Sequence, residues 1–346
     1  MSRLIGWPPR AGTDDGRRVV AVALYSILAI VCAVLIAQEG HPEAWLALIA
    51  APLAFIKRFG GLAIGVALVL GGAWLRFLVG SLGDVAADQL VVTQAAIEIV
   101  LQGGNPYGVG YPESVPPGSP FVYGPLMLVW GWTGPWGEAL ASVATLGLVA
   151  LTRSWVTLAV LAAFPLFVII TTVGINDSTP GFFITAALLA LRTRPLLGGV
   201  LLGVAVGLKP YALAWVPGVV AYGGVRAAIG AGVVSAVAWA PLLAWGPTSF
   251  MRSIDLAREV HAESPGGALG LPALRILAAP VVLVALLVRR WTVAALSGSA
   301  IFIIVLFFDT WASFGYWLAV LPITGIAVEA LFTQRWAERQ TIASVT

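Results

Sequence analysis

The sequence predicts an all-α, polytopic integral membrane protein, and composition, hydropathy and segmentation lead to that fold class. Of 346 residues, 60% are hydrophobic and only 10% are charged, where a soluble chain carries about 25% charged residues. The mean hydropathy is +0.96. The apolar stretches form successive blocks divided by short polar punctuation. Such blocks suit bundled helices, which satisfy their own backbone in lipid, and they lack the alternating pattern of a membrane barrel. The net charge of +3 is small and sorted along the chain, so no nucleic-acid partner is expected.

Taken in order, the polar and basic start MSRLIGWPPRAGTDDGRR leads into the apolar run 19–37. It has no small-residue cleavage pattern, so a retained first span is expected rather than a signal peptide. Further blocks follow at 43–56, 60–80, 121–152, 155–174, 178–191, 196–208, 210–224, 227–246, 271–288, 291–307 and 313–333, about 12 crossings in all. Several fall short of the roughly 20 residues a bilayer requires, which predicts tilted or broken helices. The block 121–152 is interrupted by Gly131, Gly134 and Pro135. It is read as an interfacial helix over 121–132 feeding one span from about 137 to 152.

Orientation follows from the cations. With both termini cytoplasmic, all but Arg76, Lys209, Arg252, Arg258 and Arg275 of the 19 Lys and Arg residues fall inside, as the positive-inside rule requires. The chain divides as one transmembrane domain over 1–346. Residues 1–58 form a helix pair, 59–246 form a core with an outer loop at 81–120, and 247–346 carry an outer loop at 247–270 and the last helices. Loops this long in an otherwise economical membrane protein point to function. The first contains an amphipathic stretch, 88–102, then GGNPYGVGYPESVPPGSPFVYGP.

Chemistry-bearing residues gather at the expected outer face. Asp84 and Asp88 share one face if helical, and partial desolvation there would raise a carboxyl toward general-base range; a solvated helix start is the plain alternative. Asn176 and Asp177 end an apolar span in VGINDSTPG, either as a turn and helix cap or as site residues. Lys209 has apolar helix on both sides and Pro210 after it. An intramembrane cation is a candidate site by default, with phosphate a suitable partner and Asp177 a structural one. Arg252, Arg258, His261 and Glu263 stud the second loop as a solvated helix face, with Arg258 or His261 as the alternative phosphate contact. Asp309, Trp311 and Tyr316 sit near the last outer turn, where aromatic residues commonly anchor at the interface. Cys32 is the single cysteine and is read as a packing residue. With no P-loop, GxGxxG or HExxH, neither nucleotide, metal nor other cofactor is expected.

The order DQLVVTQAAIEIVLQGGNPYG, SPFVYGPLMLV, GIND and RTRPLLGGVLLGVAVGLKPYALAWVP, covering about residues 81–224, resembles the polyprenol-phosphate-mannose-dependent alpha-mannosyltransferases of the GT-C superfamily. That resemblance implies a GT-C-like fold, Asp88 as general base with Asp84 as the other candidate, and Lys209, with Arg258, at the donor phosphate. Asn105, Tyr107, Tyr123, Asn176, Asp177, His261 and Trp311 become substrate-binding candidates. Val92 stands where the family often has tyrosine, and Gly124 where it has proline. The expected activity is inverting transfer of a sugar, mannose first, from a polyprenyl-phosphate donor to a glycolipid or polysaccharide hydroxyl at the extracytoplasmic face of the cell membrane. The alternative is a transporter or flippase of lipid-linked sugars, for which inverted repeats would be the signature.

Overall fold

The computed structural model describes residues 14–53, 60–82, 87–261, 264–308 and 315–343. Those residues are overwhelmingly helical; the strands are Gly110–Tyr111 and Ser119–Pro120, paired antiparallel. Five helices among the described residues are long and apolar enough to cross a membrane: Gly16–Gln38, Gly61–Ser81, Leu126–Thr152, Pro210–Trp245 and Tyr316–Gln334. Shorter apolar helices span Ser178–Leu191, Pro195–Leu208, Pro272–Leu287 and Trp291–Phe307.

The helix Asp14–Gln38 shows how composition becomes packing. Its inner stripe is Ala21, Val22, Tyr25, Ala29, Cys32, Ala33 and Ile36, all buried, at the three- and four-residue spacing of one helix face. The opposite face exposes Val20, Ile27, Val31 and Leu35, large apolar side chains suited to hydrocarbon rather than water. Tyr25 donates its hydroxyl to the Ala47 carbonyl at 3.1 Å. Gly71 makes room for that hydroxyl, since a Cβ there would collide with it.

Breaks fall where glycine or proline permits them. The interfacial piece expected at 121–132 is the short helix Leu126–Trp130 and a turn Gly131–Thr133, and the span proper is Gly134–Thr152. Gly134 has φ +58 at the junction. The block 155–174, expected as one span, is instead two helices, Trp155–Ala163 and Pro165–Ile170, with Phe164 extended between them. Pro165 lacks the N–H that would bond the Leu161 carbonyl, and it disfavours helical geometry at the residue before it. Arg76 repairs this break. Its guanidinium donates to the Leu161 carbonyl at 2.7 Å and the Ala162 carbonyl at 3.0 Å.

The expected blocks 210–224 and 227–246 meet at Gly224, whose φ of +65 reverses the backbone. A Cβ on Gly199 would strike Ala227, on Gly203 Val234 and on Gly207 Ala238. The two numberings rise together, so the segment after Gly224 runs parallel to Pro195–Leu208, at the close approach that small residues allow.

Contacts sort the helix ends into two groups. One end joins Gly124 to Leu208 and Ala87 to Val173 through backbone hydrogen bonds, Asp177 to Lys209, and Ser264 to Phe307. The other joins Trp291 to Leu188, Arg17 to Thr333 and Thr157 to Glu329.

Candidate functional site

Lys209 owes its position to Pro210. The helix Pro195–Leu208 stops because the residue before proline is driven out of helical geometry, and Lys209 is extended at φ −141, ψ 125. Its side chain points into the protein, 2% exposed as a residue, and Nζ lies 2.7 Å from Asp177 Oδ1. The Tyr211 hydroxyl donates to the same oxygen at 2.8 Å. Three tyrosine rings enclose the ammonium, with centroids at 4.7 Å for Tyr123, 5.6 Å for Tyr211 and 5.8 Å for Tyr316. Their electron-rich faces add cation–π attraction.

Asp177 stands at the N-cap position of Ser178–Leu191 but makes no cap bond. Glu138 does that work: its carboxylate accepts the Thr179 N–H at 3.0 Å and the Thr179 hydroxyl at 2.6 Å. An anion there satisfies free N–H groups and complements the helix dipole. Asp177 is thereby left for Lys209. Asp177 Oδ2 and the Ser178 hydroxyl are buried without a hydrogen-bond partner among the described residues, beside the buried Asn176 amide, which faces Tyr123. Buried polar atoms are normally satisfied, so this cluster invites a polar ligand.

Asp88 opens the helix Asp88–Leu101, preceded by the extended Ala87. Asp84, expected to share a helical face with Asp88, lies outside the described residues. Asp88 Oδ1 accepts the Val115 N–H at 2.7 Å. Burial pushes its carboxyl above the ordinary carboxylate range, an effect reduced by the Val115 N–H, His261 and the Ser119 side chain. Burial lowers His261, and Asp88 pulls it partly back. The two long loops therefore meet at this pair. Tyr123 stands within electrostatic reach of both Asp88 and Asp177, bridging the rim to the buried pair.

Asn105 and Tyr107, expected at substrate, hold the two long loops together. Asn105 Nδ2 donates to the Trp245 carbonyl at 2.7 Å and Ser249 Oγ at 3.0 Å, and its Oδ1 accepts the Tyr107 N–H. Tyr107 donates to the Tyr123 carbonyl at 2.9 Å and packs against Phe121, Trp245 and Phe250. The helix Pro247–Val260 supplies the other half of this lock, where Ser253 accepts the Gly108 N–H at 2.8 Å. Arg258, expected at a phosphate, pairs on that helix's exposed face with Asp255 at 3.1 Å. Trp311, Glu263 and Asp309 lie outside the described residues.

Between Asp88–Leu101 and Leu126–Thr133, an apolar cleft of about 470 Å³ is lined by Ile97, Val100, Leu101, Leu128, Val129 and Trp132. No group of three or more metal-ligating side chains occurs among the described residues. The chain matches no family model, no characterised protein and no solved structure.

Proposed function

We propose that this chain is a GT-C-like membrane glycosyltransferase with about 12 crossings. It would move a sugar, mannose first, from a polyprenyl-phosphate donor to a glycolipid or polysaccharide hydroxyl at the extracytoplasmic face. The observation that carries this reading is a half-buried rim carboxylate, Asp88, grouped through Tyr123 with the buried Lys209–Asp177 pair at one end of an apolar bundle.

In this reaction Asp88 takes the proton of the acceptor hydroxyl, whose oxygen attacks the anomeric carbon from the face opposite the phosphate. The bond from that carbon to the phosphate oxygen breaks, and the lipid phosphate leaves with its electron pair. Lys209 exchanges Asp177 for the departing phosphate, where a preorganised cation in a dry site stabilises developing charge. Asn176 and the free Asp177 oxygen suit hydroxyl groups of the sugar, and the tyrosine faces suit its ring. The 470 Å³ cleft suits the first units of a prenyl chain entering from the bilayer.

The test is transfer from radiolabelled polyprenyl-phosphate mannose to extracted membrane acceptors by the purified protein. Asp88→Asn should lose transfer while still binding donor, and Lys209→Ala should lose donor binding. A wild-type protein that transfers nothing from mannosyl or arabinosyl donors, yet moves labelled lipid across liposomes, would replace this reading with the transporter.

A further inference from the structure

Arg76 presents a problem that its hydrogen bonds do not solve. It is 2% exposed, and no carboxylate pairs with it among the described residues. Nε donates to Ser142 Oγ at 2.8 Å, Nη1 to the Gly72 and Ala162 carbonyls, each at 3.0 Å, and one Nη2 hydrogen to the Leu161 carbonyl at 2.7 Å. Three carbonyl dipoles and a hydroxyl satisfy donors, but they do not neutralise a unit charge taken out of water. A guanidinium has five N–H groups, so one Nη2 hydrogen remains.

Beside it lies a cavity of about 20 Å³, lined by Arg76, Ser142, Thr145 and Ser178 and closed by apolar side chains such as Leu146 and Phe167. That is room for one particle of about water size. Ser178 is 3% exposed, and its hydroxyl has no partner among the described residues. The Ser142 oxygen accepts from Arg76 and its own hydrogen is committed to no acceptor, whereas Thr145 donates away to the Ala141 carbonyl at 2.8 Å. The lining therefore offers three hydrogens, from Arg76, Ser142 and Ser178, beside a full positive charge, with the Thr145 oxygen as a lesser opposing group. A water finds acceptors in the Ser178 and Thr145 oxygens, but it leaves the guanidinium charge unneutralised. A monatomic anion needs donors alone.

We propose that this cavity is a halide site, in which one chloride ion sits between the Arg76 guanidinium and the Ser178 hydroxyl and neutralises the buried cation. The site lies behind Asp177 and holds whether or not the chain transfers a sugar. It ties the helix Gly60–Ser81 to the start of Ser178–Leu191, so the anion braces the segment that carries Asp177.

The experiment uses the full chain in detergent with sodium bromide or chloride against sodium gluconate at constant ionic strength. The melting temperature should rise with halide and saturate, and Ser178→Ala should raise the half-saturating halide concentration at least tenfold. Ser178→Val, which fills the cavity, should abolish the dependence. For wild-type crystals grown in bromide, anomalous scattering should place a bromide between Arg76 and Ser178, which decides the matter even where a variant fails to fold. A melting temperature indifferent to halide, or a bromide-free cavity holding only water, would overturn the proposal.

Discussion

Lys209 and Asp177 form a buried ion pair at 2.7 Å, with side chains 3% and 0% exposed. Neither charge has water to fall back on, so each depends on the other. Truncating one partner of such a pair typically costs about 3–5 kcal/mol, because a lone charge stays behind, while replacing both by apolar groups costs far less. Lys209→Met and Asp177→Leu should each lower unfolding stability by about that amount, and the double variant by clearly less than their sum. Chemical unfolding in detergent measures this, and strict additivity would show that the pair is not coupled.

Asp88 carries the pH prediction. A base acts when deprotonated, and burial holds the Asp88 carboxyl above its ordinary value while His261 opposes that rise. Transfer should therefore be low in acid and increase with pH through a midpoint above the usual carboxylate range. Removing the opposing imidazole with His261→Ala should move the midpoint further up. A midpoint moving down would show that His261 does not favour the carboxylate.

Arg76 and Pro165 should be coupled although neither contacts the proposed chemistry. Arg76→Met leaves the Leu161 and Ala162 carbonyls unpaired, each worth roughly 1–3 kcal/mol when buried. Pro165→Ala restores an N–H able to reach the Leu161 carbonyl. Arg76→Met should therefore be less damaging in the Pro165→Ala background, a difference that a double-mutant cycle reads directly.

Glycines on the helix Pro195–Leu208 and its parallel neighbour should divide by what surrounds them. A methyl on Gly199 collides with the Ala227 backbone, whereas Gly232 has open space around it. Gly199→Ala should destabilise by about 1–3 kcal/mol through overpacking. Gly232→Ala should be neutral or stabilise by up to about 1 kcal/mol, since alanine is the better helix former. Melting temperatures of the two variants at matched detergent concentration check the contrast.

Much of the helical plan was legible because lipid imposes composition directly and glycine marks the breaks at Gly134 and Gly224, whereas the break at Pro165 falls inside a block expected as one span. Lys209 stood out for the same reason, as a charge flanked by apolar residues and followed by proline. Glu138 carries a similar signal, one turn into an apolar span, yet its task depends on Thr179, 41 residues away. The bonds of Asn105 are not legible from the chain, because its partners Trp245 and Ser249 lie 140 and 144 residues on. The meeting of Asp88 with His261 was hidden likewise, since only folding brings the two loops together. Arg76 looked like an exception to charge sorting until the carbonyls that Pro165 leaves free gave it a reason.

If Lys209 receives the donor phosphate as proposed, the carboxylate already resting on it makes anion recognition a competition. Asp177 is tethered beside the ammonium, and tethering of this kind gives effective concentrations of about millimolar or higher. A dilute soluble anion therefore meets an occupied cation and is turned away. An amphiphile confined to the bilayer arrives at a high local concentration of its own, and its headgroup can contest the position. Under the proposed function, Asp177 would thus act as a resident selectivity filter that favours membrane-borne anions over those free in solution.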